Sequence, residues 1–88
     1  MDPIIGQIIQ VPWGWQMEGW LPCAGQILQI NQNQALYSLL GMAYGGDGHT
    51  TFALPDLRPI ENGQRRPWHS SGELVSHIAL TGIYPMRS

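Results

Sequence analysis

NQNQALYSLLGMAYGGDGHTTFALPDLR, the stretch from Asn31 to Arg58, contains in order the signals of a short helix, a glycine turn and an extended run. Asn31 is a good N-cap, because its side-chain oxygen can accept from the free N–H groups of a first helical turn, and Gln34 follows three positions later as in a capping box. Leu36, Leu39 and Leu40 recur at helical spacing and give one apolar stripe, and Gly41 suits the left-handed residue that ends a helix. The pattern predicts a helix of two to three turns over Asn31 to Leu40. The run Tyr44-Gly45-Gly46-Asp47-Gly48 then predicts a tight loop, since its glycines admit positive φ angles. His49 to Leu54 reads as extended until Pro55.

Towards the N-terminus, Gln26 to Ile30 reads as a short strand after Gly25. Pro12 to Pro22 is rich in Trp and Gly without helical or strand period and reads as an ordered loop. Ile4 to Val11 alternates, with Ile5, Ile9 and Val11 on one face and Ile4 and Ile8 on the other, which predicts a strand covered on both sides and ended by Pro12. Towards the C-terminus, Arg58 to Gly72 is polar and broken by Pro59, Gly63 and Pro67, so no regular element is expected there. Leu74 to Tyr84 alternates again and predicts a final strand closed by Pro85. The fold class expected is α+β, a single small domain over residues 1–88 of short strands and turns with one short helix.

Composition narrows the function. The chain has 88 residues, 4 Lys plus Arg and 6 Asp plus Glu, a net charge of -2, and 11% charged against 43% hydrophobic residues. A domain of this length removes only about 60 to 65% of its unfolded surface from water, and the lone Cys23 rules out an intrachain disulfide. Association with copies of itself is therefore expected to supply the missing stability. The few cations, all Arg, make nucleic acid an unsuitable partner. No apolar run approaches the length of a membrane span, and the acidic start Met1-Asp2-Pro3 is unlike a signal peptide, so the chain reads as made in the cytoplasm.

Catalytic candidates are sparse. Cys23 could act with His49, His69 or His77 and with Asp47 or Asp56, but the bland reading of Cys23 is a small buried hydrophobe. The three His lack the spacing that places two imidazoles on one metal, although an oligomer axis could gather copies of one of them. The Gly45 to Gly48 loop lacks the Lys-Ser/Thr of a phosphate loop and the repeated acids of a calcium loop, and reads as a turn. Trp13, Trp15, Trp20 and Trp68 are candidates for core packing, subunit contact or stacking on a sugar ring. No cofactor is expected.

The run Gly19-Trp20-Leu21-Pro22-Cys23-Ala24-Gly25-Gln26-Ile27-Leu28 and the segment from Asn31 to Arg58 together resemble the phage tail collar domain of tail fibres and of the bacterial microcystin-dependent proteins. The Ile5-Gly6-Gln7-Ile8 opening and the HIALTGIYPMRS ending are similar to the same proteins. The resemblance implies structural roles for Gly19, Cys23, Gly25, Gly45, Gly46, Phe52, Pro55, Asp56 and Arg58, and it implies a homotrimer, because the resembling fibres are trimeric. It also implies a non-enzymatic component of a phage tail or tail-like particle, with other tail proteins as partners. An adhesin module that binds a cell-surface glycan or receptor through the Trp-rich loop is the alternative reading, and a Cys-dependent hydrolase a third. Pro59-Ile60 stands where the family commonly has Gly-Arg, so residues 59–73 read as a polar connection in place of a longer distal segment.

Overall fold

The last strand in sequence is the middle strand of the main sheet. The computed structural model describes residues 3–12, 17–68 and 73–85. Within them the elements run β1 (Ile8–Pro12), β2 (Trp20–Pro22), β3 (Ile27–Gln29), a 3-10 turn (Ile30–Gln32), α1 (Gln34–Leu40), β4 (Thr51–Ala53), β5 (Ile60–Glu61), β6 (Gln64–Arg65) and β7 (Leu74–Ala79). β7 lies between β1 and β2 and is antiparallel to both, with Ile8 opposite Ile78, Pro12 opposite Leu74 and Trp20 opposite Ala79. β3 pairs with β4, and β5 with β6. This is the expected α+β arrangement of short antiparallel strands with one short helix.

β7 is hydrogen-bonded along both edges, and Val75 to Ala79 are all buried, the polar Ser76 and His77 among them. The two-faced coverage expected for Ile4 to Val11 is not found: Ile8, Gln10 and Pro12 are exposed, Ile9 and Val11 half-buried, and the strand begins only at Ile8. Ile4 instead makes an isolated parallel bridge with Ile83. The final strand is likewise shorter than expected, stopping at Ala79, where Leu80 N–H turns to the Gly19 carbonyl at 2.8 Å.

The helix also begins later than its capping signal suggests. Asn31 lies within the 3-10 turn, and Asn33 holds the N-cap position without a side-chain cap. The Asn33 amide instead donates to the Gln29 carbonyl at 3.0 Å, tying the turn back onto β3. Gly41 ends the helix as expected, its N–H donating to Tyr37 O at 2.7 Å. Leu36 is fully buried and Leu40 half-buried, whereas Leu39 is exposed, so the stripe is narrower than its spacing implied.

The core comprises Ile5, Cys23, Leu36, Phe52, Leu54 and Ile78: Leu36 from the helix, Phe52 from β4, Ile78 from β7, and the other three from the chain just outside β1, β2 and β4. Tyr37 stacks at a tilt on Phe52, with ring centroids 5.3 Å apart. The segment 58–72, expected to lack regular structure, carries the β5–β6 hairpin. Its turn is Asn62-Gly63, both at positive φ (54° and 79°), the chemistry that two-residue hairpins require.

Candidate functional site

Two features built by the central segment could carry function, and both start from loops. In the first, the chain on either side of Cys23 is laced to the chain around Asp56. Cys23 N–H donates to Ser76 O at 2.8 Å, Leu57 N–H to Cys23 O at 2.8 Å, and Gly25 N–H to Pro55 O at 3.2 Å, while Ala24 and Asp56 form a bridge. The Gln26 side chain closes the same turn, donating to Pro22 O at 2.8 Å and accepting from Ala24 N–H at 3.1 Å. A Cβ on Gly25 would sit 3.3 Å from that of Asp56, so the two strands meet at contact distance.

Asp56 and Arg58 complete this lacing. The guanidinium donates through Nε at 2.9 Å and NH2 at 2.8 Å to the two carboxylate oxygens, a bidentate geometry that adds direction to the ion pair. The same hydrogen bonds hold the Asp56 carboxyl below its ordinary value. With both oxygens engaged, this carboxylate is a brace rather than a proton carrier. Cys23 is fully buried, and burial pushes its thiol up to about 11, so it is protonated at neutral pH and unsuited to nucleophilic attack. His77 is buried in β7 with Nδ1 3.0 Å from Val75 O, and His49 is exposed in the glycine loop. His69 lies outside the described residues.

The second feature is the loop between α1 and β4. Asp47 accepts from the N–H groups of His49, Thr50 and Thr51 at 2.8 to 2.9 Å and from the Thr50 hydroxyl at 3.0 Å, which holds its carboxyl well below the usual carboxylate range. The aspartate is thus consumed in ordering its own turn, as the plain turn reading expected. Gly46 allows this turn to lie on β4: a Cβ there would come within 2.7 Å of Thr51 O and 2.8 Å of Phe52 N. Beside the turn lies an open groove of about 380 Å³.

Trp20 is half-buried in β2 opposite Ala79, and Trp68 is half-buried beyond the hairpin. Trp13 and Trp15 lie outside the described residues. The sequence reading missed Arg66, whose guanidinium reaches Glu61 at 2.9 Å and Glu73 at 2.8 Å and so clamps the hairpin to the entry of β7. The Asn62-Gly63 pair was the available signal for that hairpin. Among the described residues no group of His, Cys, Asp and Glu is placed to hold a metal ion, and no helix is long and apolar enough to cross a membrane.

The contacts between the Cys23 and Asp56 segments, the helix and the glycine loop all fall within residues 6–60, and the family model for the Phage Tail Collar Domain matches that span, more than half of the chain. The chain belongs to the phage tail collar domain family. No curated protein and no solved structure matches it. The collar match begins at Gly6, just before β1, and stops at Ile60, the first residue of β5, so the central strand β7 lies outside it. Tail collar proteins are generally structural and non-enzymatic, and membership places this chain in the context of a phage tail or tail-like particle.

Proposed function

We propose that this collar protein is a structural, non-enzymatic component of a phage tail or phage-derived tail-like particle, assembling as a homo-oligomer, in the first instance a trimer, that joins other tail proteins. The observation that carries the reading is the collar match over residues 6–60, which covers the laced segments whose polar side chains are spent on architecture. The collar residues Cys23, Gly25 and Asp56 hold one backbone segment against another, Gly46 lets its turn lie on β4, and Arg58 braces the Asp56 carboxylate. None is left to move a proton or attack a substrate.

The need for a partner rests on surface. Ile4, Ile8, Ile27, Ile60, Leu74 and Ile83 are exposed in a chain with only 11% charged residues. The number three comes from the fibres that the sequence resembles. Sedimentation equilibrium over a hundredfold dilution tests the assembly: a trimer whose melting temperature rises with concentration is expected, because mass action favours the associated native state. A stable monomer with a concentration-independent melting temperature would overturn it.

A further inference from the structure

We propose that the groove beside the glycine loop binds an uncharged, hydroxyl-rich ligand, a saccharide unit, through the side-chain amides of Gln29, Asn31 and Gln34. The groove has a volume of about 380 Å³ and is lined by these three together with Ile30, His49, Thr50 and Thr51. That volume is at the size of small-ligand sites. Its lining carries amides, two hydroxyls and an imidazole but no carboxylate, ammonium or guanidinium.

The missing charge decides the ligand class. Asp47, in the turn that forms one wall, has its carboxylate covered by three N–H groups and the Thr50 hydroxyl. A cation therefore finds no open carboxylate, and an anion finds no counter-charge. The Gln29, Asn31 and Gln34 amides, in contrast, are exposed and make no side-chain hydrogen bond within the described residues. Each amide offers donors and an acceptor side by side, and adjacent sugar hydroxyls, which both donate and accept, complement that pairing. The Thr50 hydroxyl spends its proton on Asp47 and keeps its oxygen as an acceptor. Half-buried Ile30 supplies the apolar contact that the C–H face of a sugar ring needs.

The walls are fixed with respect to each other before any ligand arrives. Ile30 N–H donates to Thr50 O at 2.9 Å, Gln29 pairs with Thr51 across β3 and β4, and the Asn33 amide holds the 3-10 turn to Gln29 O. The backbone of the walls adds little ordering cost, and what binding must still fix are the side chains of Gln29, Asn31 and Gln34. The groove is distinct from Trp20 and Trp68, and it does not depend on the assembly reading.

The test is a titration of the native, full-length protein followed by amide NMR, with neutral monosaccharides as free-sugar probes and a purified neutral bacterial surface polysaccharide as the polymer probe. Millimolar binding with shifts confined to Gln29, Asn31, Gln34 and His49 to Thr51 is expected. The double substitution Asn31→Ala and Gln34→Ala should weaken binding at least about tenfold without changing the melting temperature, since these side chains hold nothing else. Tighter binding of the polysaccharide than of its own monosaccharide identifies a surface glycan as the source, and equal binding per sugar unit identifies a free sugar. Absence of localised shifts with every probe overturns the proposal, as do shifts centred on Trp20 or Trp68, or unchanged binding by the double variant.

Discussion

Substituting Gly46 by Ala should be among the most damaging single-methyl changes in this protein. At φ +98° an L-residue is strained, which costs about 1–3 kcal/mol. The added Cβ would also fall 2.7 Å from Thr51 O and 2.8 Å from Phe52 N. These are backbone atoms of β4, so relief requires the strand to move, and with it Phe52 in the centre of the core. Overpacking of that kind costs about 1–3 kcal/mol more, for a total of about 2–6 kcal/mol. At about 0.05–0.15 kcal/mol per residue, the whole fold has only about 4–13 kcal/mol to lose. Gly63→Ala is the matched control: φ is +79° there, but nothing lies within 4 Å of the new methyl, so strain acts alone. Urea unfolding of both variants, followed by Trp fluorescence at one fixed protein concentration, separates the two contributions. Gly46→Ala is expected to lose at least about 1 kcal/mol more than Gly63→Ala, and failure to accumulate folded protein while Gly63→Ala folds counts the same way. Equal losses would refute the close approach of the loop to β4.

Two further predictions concern Cys23 and Arg66. Because burial raises the folded-state thiol to about 11, the neutral thiol contributes stability that is full below the ordinary thiol value and is lost as pH rises towards 11. The unfolding free energy from urea titrations should therefore fall between about pH 9 and 11, by up to about 3 kcal/mol, and Cys23→Ala should flatten that limb; rapid thiol labelling at neutral pH would contradict the burial behind it. Arg66→Gln should loosen the hairpin by removing its charged links to Glu61 and Glu73, and faster trypsin cleavage after Arg65 reports this; an unchanged rate would show that the clamp does not hold the hairpin.

Legibility from the sequence followed the range of the interactions. The helix end at Gly41 and the Asp47 turn were readable, because each is set by residues within a few positions of one another. The helix start was misread because Asn31 and Asn33 carry equal capping chemistry, and the choice fell to a contact between Asn33 and the end of β3. The apolar residues of Ile4 to Val11 and of Leu74 to Ala79 look alike as patterns, yet one forms an edge strand and the other a central one; the difference lies in the partner strands, which no local period encodes. β2 was hidden in the Trp-rich loop for the same reason, its three residues being strand only because β7 lies beside them. The hairpin was legible at Asn62-Gly63, where the prolines on either side masked it. The groove amides carried no pattern of their own, since Gln29, Asn31 and Gln34 meet His49 and Thr50 only once β3 has paired with β4.

The central place of β7 sets the order in which this molecule can fold. β1 and β2 are not hydrogen-bonded to each other in the sheet, and each is joined to it only through β7, so neither can be seated before that strand arrives. Ile8 must find Ile78 across nearly the whole described chain, a long loop whose closure slows folding. Until then the exposed row of Ile8, Ile9 and Val11 is an unpaired strand that a neighbouring chain could capture. A fragment ending at Ile60, although it would hold the entire collar match, would be a sheet without its middle. Swapping β7 between copies, in contrast, would complete every sheet while binding the copies together through the same hydrogen bonds that close each one.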